Sequence, residues 1–141
     1  MTIAAILHGK DQVISVHPGD SVVSVVRLLA EKRIGCVPVV DDGRVVGIFS
    51  ERDLVYRVAS DGPAALDHVI GDVMTAPAIT IDEDTPVIHG LSLMTKRRIR
   101  HLPVVVGDAL VGMISIGDLV KFRIDTIESE AAALRDYIQT A

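Results

Sequence analysis

Aromatic residues are nearly absent from this sequence. Its 141 residues include two Phe, two Tyr and no Trp, too few to build a stacking surface for single-stranded nucleic acid. The formal net charge of −5 gives the chain no general attraction to DNA, RNA or an anionic membrane surface. We therefore expect neither nucleic acid nor membrane among its partners.

Long apolar runs and cysteine pairs are also missing. The longest stretch without Asp, Glu, Lys or Arg is Thr85–Thr95, well short of the roughly 20 apolar residues that a transmembrane helix needs. The first residues lack the basic start and apolar run of a signal peptide, and the single Cys36 cannot form an internal disulfide. These absences predict a soluble protein of the reducing cytoplasm.

Valine and isoleucine, by contrast, are abundant, with 21 and 15 residues. So many β-branched side chains favour a sheet in the core. The length is close to the ~150 residues of one domain, which predicts one compact unit or two very small ones that share a core.

The sequence contains an internal repeat. Residues 13–57 align without a gap to residues 78–122 at an offset of 65, and 14 of the 45 aligned positions are identical. A short apolar segment precedes each copy, at Ile3–Leu7 and at Ile70–Met74. Each copy is predicted to have the order α-β-α-β-β-α, so the fold class is α/β (α+β) with two pseudo-symmetric copies.

Hydrophobic periodicity and turn residues divide each copy into elements. After the short initial helix, a strand is predicted at 13–16 and 78–81, and a longer helix at about 21–33 and 86–98. The β-hairpins are predicted at 36–49 and 102–114, which give two small sheets. Asp61–Ala64, with Gly and Pro at its centre, is the linker between the copies. We therefore divide the chain into repeat 1 at 1–62, repeat 2 at 68–124 and a C-terminal helix at 125–141.

The last helix carries an apolar seam past the second copy. Its members are Val120, Ile124, Ile127, Ala131, Leu134 and Ile138, with spacings of 4, 3, 4, 3 and 4 residues. This is the a/d pattern of a coiled coil. The helix could fold back on its own domain, but a seam this regular in a tail that neither repeat needs favours a homodimer.

The sequence shows no catalytic or metal-binding constellation. Cys36 lies in a predicted apolar strand, where an inert core thiol is favoured over a nucleophile. The five histidines never fall three or four residues apart, so no metal-binding helix face is visible. Glycine-rich phosphate and dinucleotide motifs are also missing. We predict no catalytic residue, no metal and no catalytic cofactor, and hence no enzyme.

One polar motif occurs at the same place in both copies. Gly47–Asp53 and Gly112–Asp118 both follow the pattern G-h-h-S-x-x-D, where h is apolar. The serine could cap a helix and the aspartate could occupy its first turn, which is a purely structural use. Alternatively, the glycine lets a ligand or the chain approach closely, the free N–H groups of the helix favour an anionic ligand, and the aspartate can accept ribose hydroxyls.

The motifs also support a family resemblance. Together with the h-P-V-V segments Val37–Val40 and Leu102–Val105, they make residues 1 to about 124 resemble a pair of cystathionine-β-synthase-type (CBS) domains, as in small stand-alone bacterial proteins. The resemblance implies two clefts that bind adenosine derivatives such as AMP, ADP, ATP, NAD or S-adenosylmethionine as regulatory ligands. It also implies that two such pairs form a flat dimer.

The resemblance assigns roles residue by residue. The implied contacts are Ser50, Asp53, Ser115 and Asp118 at the ribose or nearby phosphate, Ser15, Val16, Thr80 and Ile81 around the adenine, and Arg52, Arg100 and His101 at the phosphate. We expect Arg100 and His101 to serve the cleft of Asp118. The basic run 96–101 could instead be a solvated surface patch. In the first copy Gly35 and Cys36 replace the basic pair, so the two clefts need not hold the same ligand.

The expected function is therefore a regulatory signal-transduction module. It would bind an adenine nucleotide between its copies and modulate an unknown protein partner in trans. One alternative is a ligand-independent, dimeric structural adaptor whose serine and aspartate only cap helices. A nucleotide hydrolase is a third hypothesis, for which no base, nucleophile or metal set is evident.

Overall fold

The computed structural model describes residues 1–140. This part of the chain contains one five-stranded sheet and six α-helices. The elements are α1 (Ile3–Leu7), α2 (Val22–Lys32), β1 (Cys36–Asp41), β2 (Arg44–Ser50), α3 (Glu51–Asp61), a 3₁₀ helix (Gly62–Asp67), α4 (Ile70–Val73), β3 (Ile81–Asp82), α5 (Val87–Arg97), β4 (His101–Val106), β5 (Ala109–Ser115) and α6 (Ile116–Thr140). The predicted α+β class is confirmed, and the two copies share the order of their helices and hairpins.

The sheet joins the two copies. Its strand order is β1-β2-β5-β4-β3, and each copy contributes an antiparallel hairpin with a register irregularity at the same place, after Val39 and after Val104. The hairpins meet where Arg44 pairs with Ala109. Separate small sheets were the wrong prediction, because β2 and β5 each have an edge whose backbone groups can pair with the other copy.

The predicted helices α2 and α5 are confirmed. Ser21 caps α2 by accepting the Ser24 N–H at 3.1 Å. Both helices end at an arginine in the left-handed region, Arg33 and Arg98, each with a φ of 54°. Equivalent helices therefore end in the same backbone conformation.

The predicted first strands are much shorter than expected. In repeat 1 only Val16 makes a bridge, to Val39, and in repeat 2 the strand is Ile81–Asp82. The turn that begins at His17 ends the extended segment in repeat 1, because the Asp20 N–H bonds to the His17 carbonyl at 3.0 Å. The predicted linker Asp61–Ala64 is mostly the start of the 3₁₀ helix.

Each copy has its own core, and the cores exchange their short helices. Ile3 of α1 is fully buried among the residues of the second copy, and its N–H donates to the Thr85 carbonyl at 2.9 Å. Ile70 of α4 is fully buried in the core of the first copy. The boundaries 1–62 and 68–124 thus divide the sequence, whereas the packing crosses them in both directions.

The helix α6 runs without a break from the second copy to Thr140. Leu119 is fully buried and Phe122 packs against the same core. Beyond them the seam is exposed, with Leu134 60% and Ile138 64% accessible. The tail does not fold back on its own domain. No helix within residues 1–140 is long and apolar enough to cross a membrane.

Candidate functional site

Both S-x-x-D motifs form capping boxes at helix N-termini. At α3, Ser50 Oγ accepts the Asp53 N–H at 3.3 Å, and the Ser50 N–H donates to Asp53 Oδ2 at 2.9 Å. At α6, Ser115 Oγ accepts the Asp118 N–H at 3.1 Å, and the Ser115 N–H donates to Asp118 Oδ2 at 2.8 Å. The structural use of the motif is confirmed, and each carboxylate is held at the start of its helix.

The motif glycines allow close approach by the chain itself. A Cβ on Gly47 would lie 2.6 Å from Met74 Sδ and 2.9 Å from the Thr75 carbonyl oxygen. A Cβ on Gly112 would lie 2.5 Å from a Leu7 methyl group. Of the two predicted reasons for these glycines, close packing of the chain is the one observed, and it brings the segment after α4 and the last residue of α1 onto the motifs.

Thr75 completes the hydrogen bonding of the first motif. Two backbone hydrogen bonds of 2.9 Å pin it to Ile48 at the end of β2. Its hydroxyl donates to Asp53 Oδ1 at 2.8 Å. The sequence interpretation missed Thr75, although the apolar segment that precedes the second copy ends directly before it.

A cavity of about 240 Å³ lies beside Asp53. It is lined by Gly35, Cys36, Ile48, Ser50, Glu51, Arg52, Asp53, Thr75, Arg98, Ile99, Arg100 and His101. Five predicted ligand residues therefore share one space: Ser50, Arg52, Asp53, Arg100 and His101. Arg100 and His101 were expected to serve the cleft of Asp118. They line the Asp53 cavity instead, because each wall of this cavity comes from a different copy.

Of the three arginines that line the cavity, one comes from the first copy and two come from the second. Arg52, Arg98 and Arg100 are exposed at its rim. Burial lowers the pKa of His101 below its usual 6.5, with the neighbouring Lys10 and Arg100 acting in the same direction against the carboxylates of Asp118 and Glu51. The imidazole is therefore neutral at pH 7. One of its ring nitrogens can donate a hydrogen bond and the other can accept one.

Cys36 is a poor nucleophile. Its side chain is 7% exposed, and burial, assisted by the charges of Asp53 and Glu51, raises the pKa of its thiol to about 12. A thiol in this environment stays protonated at neutral pH. This agrees with the predicted inert core thiol.

Lys10 occupies the second motif. Its ammonium group lies 2.5 Å from Asp118 Oδ2 and donates to the Met113 carbonyl at 3.0 Å. Burial raises the pKa of Asp118, but the hydrogen bonds from Lys10 and Ser115 outweigh it and leave the pKa below 3.8. The sequence interpretation missed Lys10 because nothing near it in the chain marks it as a partner of the motif.

The residues predicted around the adenine lie elsewhere. Among the described residues, the lining of the Asp53 cavity does not include Ser15, Val16, Thr80 or Ile81. Val16 is buried and bonded into the sheet, since its N–H donates to the Pro38 carbonyl at 3.1 Å. A larger cavity of about 830 Å³ is lined by the preceding residues Val13 and Ile14 and by Lys10. Their role at an adenine therefore stays a prediction.

Comparison with known proteins identifies the family. The profile of the CBS domain family matches residues 7–60 and 70–125. The chain belongs to the CBS domain family. The CBS domain-containing protein CBSX3, mitochondrial, of Arabidopsis thaliana is 34% identical over 125 residues, which cover 85% of this chain and 61% of that protein. This CBS pair thus spans about three fifths of the length of that relative.

Solved CBS structures share the fold of this pair. The CBS-domain containing protein ATU1752 from Agrobacterium tumefaciens is 38% identical, with a TM-score of 0.82 over 87% of this chain and 99% of that one. The CBS domain pair of protein MJ0100, in complex with 5′-methylthioadenosine and S-adenosyl-L-methionine, is 27% identical, with a TM-score of 0.79 over 89% and 98%. CBSX2 in complex with AMP is 26% identical, with a TM-score of 0.77 over 89% and 97%.

The two S-x-x-D motifs of this CBS pair differ in the partner of the aspartate and in its access to the cavity. Asp53 has a neutral hydroxyl partner and shares an open cavity with cationic side chains of the other copy. Asp118 is paired with an ammonium group and does not line that cavity. Within residues 1–140 no group of three or more His, Cys, Asp or Glu residues is placed to hold a metal ion. The Asp53 cavity brings together a carboxylate, a serine hydroxyl and guanidinium groups.

Proposed function

We propose that this CBS pair is a regulatory module that binds a phosphate-bearing adenosine ligand in the Asp53 cavity. The proposal rests on one observation: the Asp53 carboxylate shares a cavity with Arg98 and Arg100 of the other copy. A carboxylate can accept the hydroxyls of a ribose, and guanidinium groups bind phosphate with charge-assisted hydrogen bonds. The complexes of CBSX2 with AMP and of MJ0100 with adenosine compounds support this choice of ligand class.

Charge and size favour a nucleotide such as AMP within that class. Arg98 and Arg100 attract a phosphate, whereas the sulfonium group of S-adenosylmethionine would meet like charge. The cavity, at about 240 Å³, is slightly below the roughly 300–1,000 Å³ typical of ligand pockets. A nucleotide would therefore extend into solvent, and the added phosphates of ADP and ATP or the second nucleotide of NAD would lie outside.

A ligand in this position would link the two copies. Serine and aspartate come from one copy and the arginines from the other, so binding favours the arrangement of the copies that brings them together. The change is limited by the difference in ligand affinity between the two arrangements. In our proposal a separate cytoplasmic protein senses this change, and the module acts by binding and not by catalysis.

We also propose that two copies of this chain form a homodimer. Val55 and Val120 occupy equivalent positions on α3 and α6, and they are 62% and 43% exposed. The seam of α6 continues this apolar surface through Ile127 and Leu134, which are 49% and 60% exposed. A regular a/d seam is complementary to a second copy of itself.

The adaptor hypothesis has one observation in its favour. Both carboxylate oxygens of Asp53 already accept hydrogen bonds, Oδ2 from Ser50 and Oδ1 from Thr75. A ligand is therefore not needed to satisfy this group. In that case the motif would only stabilise the helix, and dimerisation would be the whole function.

Ligand binding can be tested by calorimetry and thermal unfolding with AMP, adenosine and S-adenosylmethionine. We expect AMP at 100 times its Kd to raise the free energy of unfolding by about 2.7 kcal/mol. Asp53→Asn should weaken AMP roughly tenfold to a hundredfold, since a hydrogen bond to a charged group contributes ~1.5–3 kcal/mol. Ser21→Ala is the matched control, because it removes a cap outside the cavity.

The control separates binding from capping. Ser21→Ala should cost ~1 kcal/mol of stability and leave AMP affinity unchanged. If Asp53→Asn only lowers stability and AMP still binds as before, the capping interpretation is correct. Absence of any shift with every adenosine compound would favour the adaptor, and conversion of AMP during incubation would indicate the hydrolase.

A further inference from the structure

We propose that Lys10 occupies the carboxylate of the second motif, so that each chain takes one adenosine ligand, at Asp53, and none at Asp118. The proposal rests on the function proposed above and adds the number of sites and the residue that sets it. It makes Lys10 an internal competitor for the hydroxyl-binding carboxylate.

Equivalent positions of the two copies have different partners. The offset of 65 residues places Ser50 on Ser115 and Asp53 on Asp118, and both pairs form the same capping box. The additional partner differs, since Asp53 receives the neutral Thr75 hydroxyl at 2.8 Å and Asp118 receives the Lys10 ammonium at 2.5 Å. The same acceptor therefore faces a neutral group in one copy and a cation in the other.

The lining of the Asp53 cavity follows the symmetry of the repeat only in part. Gly35 and Cys36 line it together with their equivalents Arg100 and His101, so this part of the wall comes from both copies alike. Ser50 and Asp53 also line it, whereas their equivalents Ser115 and Asp118 do not. The Lys10 ammonium donates a hydrogen bond to the Met113 carbonyl, and both residues line the 830 Å³ cavity and not the Asp53 cavity. The two copies therefore differ at Asp118 and Met113, the residues that Lys10 contacts.

A ligand at Asp118 would have to break a strong contact between Lys10 and the carboxylate. The Lys10 and Asp118 side chains are only 36% and 28% exposed. An ammonium and a carboxylate attract each other as opposite charges as well as through the hydrogen bond, whereas an uncharged ribose hydroxyl would offer the carboxylate only the hydrogen bond in exchange. An adenosine ligand therefore competes poorly at Asp118 and binds at Asp53, where it has only to rearrange around a threonine hydroxyl.

Helix α1, which packs in the core of the second copy, determines the position of Lys10. Ile3 anchors the helix in the second core, and the Lys10 N–H bonds to the Leu7 carbonyl at 3.0 Å, one turn beyond the helix. Leu7 itself fills the space left by Gly112 in the second motif. The position of Lys10 therefore follows from the packing of α1.

The test is the stoichiometry of AMP binding by calorimetry. We expect one AMP per chain for the unaltered protein and two for Lys10→Met, which keeps the length of the side chain and removes its charge. Lys121→Met removes a charge from an exposed position of α6 and should leave one AMP per chain. If Lys10→Met does not fold, Lys10→Ala is used in the same way.

Aspartate variants identify which cleft fills. Asp118→Ala as a single substitution, with Lys10 retained, should not change AMP binding. Asp53→Asn combined with Lys10→Met should retain one AMP of undiminished affinity, at Asp118, while binding at residue 53 is weakened. Two AMP molecules per chain in the unaltered protein, or one per chain in every foldable Lys10 variant, would refute the proposal. Absence of binding in both the unaltered protein and the Lys10 variants would instead overturn the proposed function, and this proposal with it.

Discussion

The basic run that precedes β4 is divided between the cavity and the solvent. Arg98 and Arg100 line the Asp53 cavity, whereas Lys96 and Arg97 are exposed on the last turn of α5 and do not. The solvated-patch interpretation thus fits Lys96 and Arg97, whereas the phosphate site stays a prediction for the part of the run that lines the cavity. Neighbours in sequence that carry the same charge have different environments.

This division predicts a difference between two arginine variants. Arg100→Ala should weaken AMP binding roughly tenfold to a hundredfold, because it removes a charge-assisted contact to phosphate. It should not change adenosine binding. Arg97→Ala, which removes the same charge outside the cavity, is the control. Equal losses of AMP affinity in both variants, measured by calorimetry, would mean that only the general field of the run matters.

His101 predicts a pH dependence of stability. Because burial lowers its pKa, the unfolded chain takes up a proton near pH 6.5, whereas the folded protein takes it up only at lower pH. Stability therefore decreases as the pH falls through this interval. Asp118, whose pKa is lowered from 3.8, adds a similar loss only in more acidic solution.

The contribution of His101 can be measured by urea unfolding at about pH 7.5 and about pH 5.5. We expect His101→Asn to lose less stability on acidification than the unaltered protein, because an asparagine does not titrate. Identical losses in the two proteins would show that the imidazole is not responsible.

Local chemistry explains which site residues the sequence could reveal. Ser50 and Asp53 lie three residues apart, and the capping box that they form follows from their spacing. Thr75 lies 22 residues from Asp53, and Lys10 lies 108 residues from Asp118. These contacts depend on the exchange of short helices between the copies, and no pattern within one copy contains that information.

At the scale of elements, the repeat made the helices predictable. Val22–Val26 alone would suit a strand, but the corresponding helix of the second copy continues through Leu91–Arg97, which contains good helix formers, and both α2 and α5 are helices. The strand predicted at 13–16 was wrong in extent. A strand needs a partner as well as a propensity, and only Val16 meets one, at Val39.

The exposed seam of α6 predicts how the protein assembles. Leu134→Glu should weaken dimerisation, because a charge would be buried in the a/d contact between two copies. Ala133→Glu adds the same charge at an adjacent position off the seam and should leave the dimer intact. Sedimentation velocity over a range of concentrations distinguishes the two variants. An unchanged mass for Leu134→Glu would exclude the seam as the interface.

At the scale of the whole molecule, the exchange of α1 and α4 makes the two copies depend on one another. Ile3 is fully buried in the core of the second copy, whereas Ile88 on α5 is 58% exposed. Ile3→Ala should lower the free energy of unfolding by about 2–5 kcal/mol, and Ile88→Ala should change it by about 0.5 kcal/mol or less. Urea unfolding measures both. A small loss for Ile3→Ala would mean that α1 is dispensable for the second core.

The same exchange has a consequence for synthesis on the ribosome. The core of the first copy is complete once Val73 has emerged, and it can fold while translation continues. The core of the second copy combines Ile3 with Leu119, which is made 116 residues later. Helix α1 must therefore remain with its apolar side chains exposed until Leu119 has emerged, and a newly made chain is most vulnerable to aggregation during this interval.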